Sequence, residues 1–507
     1  MSLNPQPTPT LDTGVSLSSL ETVPLRQGSR SAVLVRNLQR ELGAELIETH
    51  ISWVLLAGAH AWKIKKPVRT AFLDYGTLER RRACCEEEVR INQRLAPTVY
   101  LGVASITGDA RTPVLSQSGP AIEYAVHMRR FDQQALLSNE ATNGTLLPAT
   151  IDALGDLLAR FQAQAPAPPA GHRFARSEHR RAVALAALEG ARAALPCAQW
   201  RQLADWLAHE AHRAAHTWLL RRRGDRIREC HGDLHLANLL ELPTGVAAFD
   251  AIEFDPALRF IDVADDIAFP LMDLAAHARP DLAARLLNRW LDRSGDHEAL
   301  AVLRFAQVYR ALVRATVALL HGADRRARAE RYTGVALGFT RTTPALLTIM
   351  HGLPGSGKSF VSGQLVEQQG AIRIRSDVER KRLFGLAMED SSRAAGLDIY
   401  GDEATRRTYG ELLARARIAL DAGFPVVLDA AFLRRRERDG ARQLAQEAGV
   451  QFAIAACNAP ADVLAARLRS RRGDASEADA AVLDHAIGRS EPLDFDEQCF
   501  AEHFDSR

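Results

Sequence analysis

Nine residues, His351 to Ser359, read His-Gly-Leu-Pro-Gly-Ser-Gly-Lys-Ser, the GxxxxGKS spacing of a loop that holds phosphate. The glycines let the backbone fold into a concave nest of N–H groups, and the helix expected from Phe360 to Gln369 adds its positive end. In this reading Gly352, Leu353, Pro354, Gly355, Ser356 and Gly357 wrap the phosphates, Lys358 reaches the β and γ phosphates, and the Ser359 hydroxyl holds Mg²⁺. Two carboxylates follow at strand ends, where open α/β sheets place ligands. Asp377 follows the alternating run Ala371–Arg375, placed to take the proton of an acceptor hydroxyl, with Arg380 one turn later to hold an anionic group. Asp429 ends the apolar run Pro425–Leu428, the place of a Walker-B-type Mg²⁺ partner. Helix capping competes for both carboxylates. Farther on, Arg467, Arg471 and Arg472 are placed to close over a transferred phosphoryl group, with a solvated helix face as the alternative.

A second set of residues stands upstream. His231-Gly232-Asp233-Leu234-His235-Leu236-Ala237-Asn238 has an Asp and an Asn five positions apart, and Phe249-Asp250 follows an apolar strand. That order suits phosphoryl transfer: Asp233 orients and deprotonates an attacking hydroxyl, while Asn238 and Asp250 hold Mg²⁺ against the phosphates of ATP. Earlier still, Trp62-Lys63-Ile64-Lys65 on an expected strand and Glu86-Glu87-Glu88 on the next helix offer a Lys–Glu pair for the α and β phosphates.

The elements that must position these residues imply at least two cores, because the chain has 507 residues and one core rarely grows beyond about 250–300. With 47% hydrophobic and 25% charged residues, it has the composition of a globular protein. No apolar run approaches the roughly 18–20 residues of a membrane span, and residues 1–28 lack the basic start and apolar centre of a leader. Those 28 residues, rich in Pro, Thr and Ser, read as a disordered tail. The Pro-rich stretch Pro166–Gly171 reads as a loop within a domain, and the break near Thr340–Pro344 as a boundary. The division is therefore a tail at 1–28, one domain at 29–340 and another at 345–507, two unrelated modules with no shared catalytic residue. Six cysteines without metal-like spacing imply reduced thiols and a cytoplasmic setting.

Residues 345–507 resemble the P-loop kinases related to polynucleotide kinase and zeta-toxin kinases, through HGLPGSGKS, RSDVERKRLFG, VVLDAAFLRRRER and RLRSRR. The resemblance implies an α/β P-loop fold, Asp377 as the base for the acceptor hydroxyl, and Arg471 or Arg472 as contacts to nucleotide phosphates. Residues of about 30–335 resemble the aminoglycoside phosphotransferases through HGDLHLAN, FDAIEFDP and IDVADD. That resemblance implies an α+β, two-lobed protein-kinase-like fold, with Lys63 as the phosphate-contacting lysine and Glu88 as its helix partner. It further implies that Asp262 braces the catalytic loop and that Glu123–Met128 forms the hinge strand reading adenine. The segment Leu55–His60 has one glycine and no GxGxxG, so the phosphate-covering loop must be built otherwise.

The expectation is a bifunctional kinase, each site phosphorylating a hydroxyl of a small molecule with MgATP. The alternatives are an ATP-binding sensor with an inactive kinase-like half, or a 5′-end nucleic-acid kinase. Nucleic acid is disfavoured: the net charge is +2, and residues 345–507 carry 22 Lys and Arg against 25 Asp and Glu, a net of −3. Residues 267–340, the expected acceptor wall, carry 11 Lys and Arg against 7 Asp and Glu, a net of +4, with Arg310 and Arg314 on one helix face. An acceptor that is neutral or anionic follows from the ligand reading of these arginines. A structural pairing with Asp262, Asp265 or Asp266 is the alternative.

Overall fold

The computed structural model describes residues 29–69, 73–116, 118–320, 324–341, 345–470 and 480–505. The expected tail at 1–28 and the arginines Arg471 and Arg472 lie outside the described residues.

A helix at Arg30–Leu42 opens the chain. Ser29 caps its first turn by accepting from Ala32 N at 3.3 Å, and Gly43, in the left-handed region at φ 58°, ends it. Six strands follow: β1 (Glu45–Glu48), β2 (Ser52–Ala57), β3 (His60–Lys65), β4 (Tyr100–Gly108), β5 (Pro113–Leu115) and β6 (Glu123–Arg129). They form one antiparallel sheet in the order β1-β2-β3-β6-β4-β5. Alternation of side chains splits its strands between two faces. Leu55 and Ile64 pack under the first helix against Leu34, Val35 and Leu38, whereas Ala61, Val126 and Met128 face the rest of the molecule. Between β3 and β4 runs the helix Leu78–Asn92, capped by Thr77 and burying Cys85, Glu88, Ile91 and Asn92.

A helical body comes next, interrupted by two small antiparallel pairs, β7 (Ile227–Glu229) with β10 (Phe260–Asp262) and β8 (Leu239–Leu242) with β9 (Gly245–Ala248). Its central helix, Val263–Ala276, is buried almost all round. Such a helix must be enclosed by others, and Leu300–Leu320 and Pro280–Ser294 are the main ones that do so. This is the α+β protein-kinase-like arrangement: a small sheet lobe, a helical lobe and the chain segments between them.

The last body is a five-stranded parallel sheet, β11 (Leu346–His351), β12 (Ile372–Arg375), β13 (Val426–Asp429), β14 (Gln451–Asn458) and β15 (Ala501–Asp505). Its order is β12-β13-β11-β14-β15. Four of these strands are legible as apolar or alternating runs. β15 is not, because Ala-Glu-His-Phe-Asp at a sheet edge is mostly exposed.

The helical body and the parallel-sheet body share one apolar core. Leu286, Leu287 and Trp290 of the first belong to the same buried cluster as Ile372, Ile374 and Leu428 of the second. Helix Pro280–Ser294 lies along the free edge of β12, and the buried Asn288 pairs with its backbone. Asn288 Nδ2 donates to Ala371 O at 2.8 Å, and Arg373 N donates to Asn288 Oδ1 at 2.6 Å. One side chain thus continues the ladder where an edge strand would leave groups unpaired. Arg415 adds a second tie, donating from Nη1 to His297 Nδ1 at 2.7 Å and Gly295 O at 3.0 Å. Among the described residues no helix is long and apolar enough to cross a membrane, and the six cysteines are free thiols.

Candidate active sites

Between the small sheet and the helical body lies a cleft of about 520 Å³, lined by Lys63, Asn238 and Asp250 among others. Lys63 projects from β3 and donates to Glu88 Oε1 at 2.9 Å, and it also meets Asp250. Two residues on, Lys65 points to the same face and takes the other oxygen of Glu88 at 2.7 Å, along with Tyr75 and Glu253. Only Lys63 of the two reaches the cleft, so the shared, fully buried Glu88 holds one lysine for the site and one for the core. Burial opposes charge on Lys63, but Asp250 and Glu88 outweigh it and hold its ammonium well above the ordinary lysine range.

The loop after β7 presents Asp233. Gly232 adopts φ 85°, and a Cβ there would stand 2.6 Å from Leu258 O, so both conformation and space require glycine. Gly232 N donates to Asp266 Oδ1 at 3.0 Å, and Leu236 N to Asp273 Oδ2 at 2.8 Å. Asp262 is elsewhere: it accepts two hydrogen bonds from Arg221 and caps the helix that follows through Ala264 N. The expectation that Asp262 braces the catalytic loop is therefore corrected. Asp266 and Asp273, one and nearly three turns along that helix, make the direct contacts, because only their positions face the loop.

Asn238 Nδ2 donates to Asp233 O at 3.0 Å and Oδ2 at 3.3 Å, which leaves its own Oδ1 directed away from that pair. Asp250 sits at φ 62°, its N–H held by Tyr100 Oη at 3.0 Å, and the next amide is held by Asn92 Oδ1 at 2.9 Å. Desolvation opposes ionisation of Asp233, yet His235, 3.4 Å away, and Arg314 hold its carboxyl well below the usual range. Asp233 is anionic at neutral pH, able to orient a hydroxyl and accept its proton only as that proton is released.

Met128, Arg129, Arg130 and Phe131 at the end of β6 line the same cleft, with the Phe131 and Phe249 rings 5.1 Å apart. The cleft is roofed by Thr49, His50, Ile51 and Ser52, between β1 and β2. Ser52 N donates to Thr49 Oγ1 at 3.0 Å, and Lys66 ties Glu48 and Thr49 O from behind. The covering turn is thus one strand earlier than Leu55–His60, which forms the β2–β3 hairpin. Nothing in Thr-His-Ile-Ser marks it in sequence, since it is stiffened by side-chain hydrogen bonds instead of glycines.

Arg310 and Arg314 part company. Arg310 donates from Nε to Asp265 O at 3.2 Å, with its guanidinium over Phe269 and Tyr309 at 4.6 and 5.1 Å. This is a structural role, as the pairing alternative held. Arg314 lies over the Tyr332 ring at 5.7 Å, and its charge acts on Asp233.

In the parallel-sheet body a cavity of about 1400 Å³ opens at the carboxyl ends of β11, β12 and β13. Its floor is the loop from β11 to the helix Lys358–Gln369. Gly352, Gly355 and Gly357 have φ of 145°, 86° and 94°, and a Cβ on Gly352 would lie 2.3 Å from Cys457 O. Lys358 Nζ curls back to Gly352 O and Leu353 O at 2.9 and 2.8 Å. Asp429 accepts from Ser362 Oγ at 2.9 Å, and Ser359, Asp377 and Asp429 all line the cavity. Arg467 Nη1 donates to Gly355 O at 3.2 Å. Arg380 lines the cavity too, but its Nη1 is bonded to Ile399 O at 2.8 Å. Of the arginines in Phe432–Arg438, Arg434 faces the cavity, while Arg438 is buried against Glu497.

A family model described as an AAA domain (AAA_33) matches residues 347–493. An uncharacterized protein of Mycobacterium tuberculosis is 31% identical over 474 residues, spanning 88% of this chain and 90% of that protein. The GDP complex of a mutant aminoglycoside 2′-phosphotransferase-IIIa covers 60% of this chain and 94% of its own, at 14% identity and a TM-score of 0.36. A gluconokinase from Sinorhizobium meliloti covers 32% and 84%, at 22% identity and a TM-score of 0.25.

Proposed function

The chain belongs to the family of the mycobacterial protein that it matches over 88% of its length, and from that premise we propose a bifunctional phosphotransferase. An aminoglycoside-phosphotransferase-like unit at 29–340 and a P-loop kinase unit at 345–507 each transfer the γ-phosphoryl group of MgATP to a hydroxyl of a small molecule. One observation carries the reading: four separate segments converge on a single cleft. Lys63, Asn238 and Asp250 line it, and Glu88 and Asp233 each bond to one of those three.

In the first site Lys63, steadied by Glu88, positions the α and β phosphates. Asp233 orients the acceptor hydroxyl for in-line attack and takes its proton as the new P–O bond forms and the bond to ADP breaks. Asn238 Oδ1 and the Asp250 carboxylate would hold Mg²⁺, which, when bound, offsets charge on the β and γ oxygens. Among the described residues no cluster of three His, Cys, Asp or Glu side chains is spaced to bind a metal by itself. Two protein ligands suit Mg²⁺, which takes its remaining ligands from phosphate and water.

In the second site the nest at 352–357 receives the phosphates, and Lys358 exchanges its two carbonyl partners for phosphate oxygens. Ser359 and Asp429 would hold Mg²⁺, Asp377 is the base, and Arg471 or Arg472 completes the lid. The net acidic character of this unit favours a small acceptor over a polynucleotide. Free thiols and a dependence on ATP suit the cytoplasm.

The test is a phosphoacceptor screen read by mass spectrometry, with the intact protein beside Asp233→Asn and Lys358→Ala. Two product classes are expected, each lost in one variant only. ATP binding without any phosphorylated product would sink the kinase reading in favour of a sensor.

A further inference from the structure

The wall beside Asp233 carries a cation that has no carboxylate of its own. Arg314 lies on the helix Leu300–Leu320, and Val317 and Leu320, one and two turns farther along, line the cleft of the first site. Its guanidinium lies over the ring of Tyr332 at 5.7 Å. Tyr332 is pinned in turn: its Oη donates to Asp273 Oδ1 at 2.9 Å, while Asp273 Oδ2 holds Leu236 N of the catalytic loop. The shelf under Arg314 and the loop carrying Asp233 are therefore one hydrogen-bonded unit.

Neither nearby carboxylate is an ion-pair partner. Both oxygens of Asp273 are engaged, Asp233 is bonded to Asn238 and His235, and among the described residues no carboxylate stands within 4.0 Å of Arg314. Nε of Arg314 is buried and has no hydrogen-bond partner. Tyr332 engages the guanidinium and Asp233 and Asp273 act on it through space, but an Nε–H left unpaired in a largely desolvated cation is costly unless a ligand supplies an acceptor. The contrast with Arg310 on the same helix, satisfied by Asp265 O and two rings, shows that this environment is specific to the position nearer Asp233.

We propose that Arg314 is the specificity-determining residue of the first site and that it binds a phosphate or carboxylate group on the acceptor, so that the hydroxyl beside it is presented to Asp233. The proposal rests on the kinase reading above and names the acceptor class for that site: a small hydroxylated anion. Polycationic acceptors are excluded by the same charge, since like charges facing each other in a partly desolvated pocket oppose binding. Arg314 is thus a reader of the acceptor, distinct from Lys63, which serves the nucleotide.

The test uses the full chain carrying Lys358→Ala, so that only the first site turns over, with and without Arg314→Gln and Arg314→Lys. Binding of inorganic phosphate is measured by calorimetry in the presence of a non-hydrolysable ATP analogue. Arg314→Gln is expected to weaken it by about 30-fold or more, and Arg314→Lys by less. Turnover is measured on matched pairs, glucose with glucose 6-phosphate and ribose with ribose 5-phosphate, and on kanamycin. The anionic members are expected to be preferred, and Arg314→Gln to remove that preference by raising their KM more than that of the neutral sugars. Phosphate binding that depends on Arg314 without turnover of any acceptor would uphold the anion site and count against the kinase reading. Phosphate binding that is absent or indifferent to Arg314 overturns the proposal. So does an equal fall in kcat for neutral and anionic acceptors, which would place Arg314 on the transferred phosphoryl group, or kanamycin turnover unaffected by Arg314→Gln. Arg314→Lys keeps the charge, and its phosphate affinity decides the matter if Arg314→Gln does not fold.

Discussion

Asn288→Ala tests whether the helical body and the parallel-sheet body are joined as tightly as their shared core implies. The substitution removes the amide that accepts from Arg373 N at 2.6 Å and donates to Ala371 O at 2.8 Å, at a position only 4% exposed. Two backbone groups on the edge of β12 lose their partners under a helix that excludes water. Each stranded group costs about 1–3 kcal/mol, so the expected loss is about 2–6 kcal/mol. The consequence for function is local, because β12 runs directly into Ser376 and Asp377 at the mouth of the larger cavity. Urea denaturation should show the loss as a lower midpoint, and product formed at the P-loop site should fall with temperature sooner than product formed at the first site. Asn288→Asp should be no better, since its carboxylate still accepts from Arg373 N but faces the Ala371 carbonyl without a proton to donate. A loss below about 0.5 kcal/mol for Asn288→Ala, with both activities unchanged, would refute the edge-pairing argument, because solvent would then be satisfying those groups.

Asp233→Asn should lower turnover at the first site by about 10²–10⁴-fold with nucleotide affinity within about twofold, checked by steady-state kinetics and calorimetry. A large loss of affinity would make Asp233 a binding residue. Lys358→Ala should abolish chemistry at the P-loop site and leave the first site folded and active, because the lysine bonds to carbonyls of its own loop and lines the cavity of the parallel-sheet body. Loss of both products in a folded protein would show that the sites are coupled through the shared core. His297, pushed down to about 3 by burial and by Arg415, binds a proton in the unfolded chain before it does so in the folded one. Its contribution to stability is complete above the unfolded value near 6.5 and is lost progressively as pH falls toward 3, at up to about 1.4 kcal/mol per pH unit. Denaturation midpoints should therefore drop in that window, and His297→Asn should flatten the dependence.

What the sequence determined by itself was chemistry that is local in the chain. The phosphate loop is nine consecutive residues whose glycines are needed at left-handed or crowded positions, and Asp233 and Asn238 sit in one short turn that bonds to itself. Short-range spacing specifies such features because the backbone between the residues leaves little freedom. The strands that carry Lys63 and Asp429, and the one that leads into Asp377, were legible for the same reason, as period-two or continuous apolar runs. The tertiary structure decided every choice between equivalent neighbours. Lys63 and Lys65 share a face and a carboxylate, and only packing shows which of them meets the cleft. Asp262, Asp266 and Asp273 lie on or just before one helix, and which of them meet the loop is set by how that helix is buried. Arg310 and Arg314 have the same spacing rule in common, yet one finds a carbonyl and two rings and the other lies over Tyr332 with its Nε unpaired. The covering turn at Thr49–Ser52 and the ladder continued by Asn288 leave no periodic trace, because each depends on a partner contributed by a distant part of the chain. Side-chain partnership across long sequence separations is fixed only when the core closes, and that is the step at which this protein's two candidate sites acquire their surroundings.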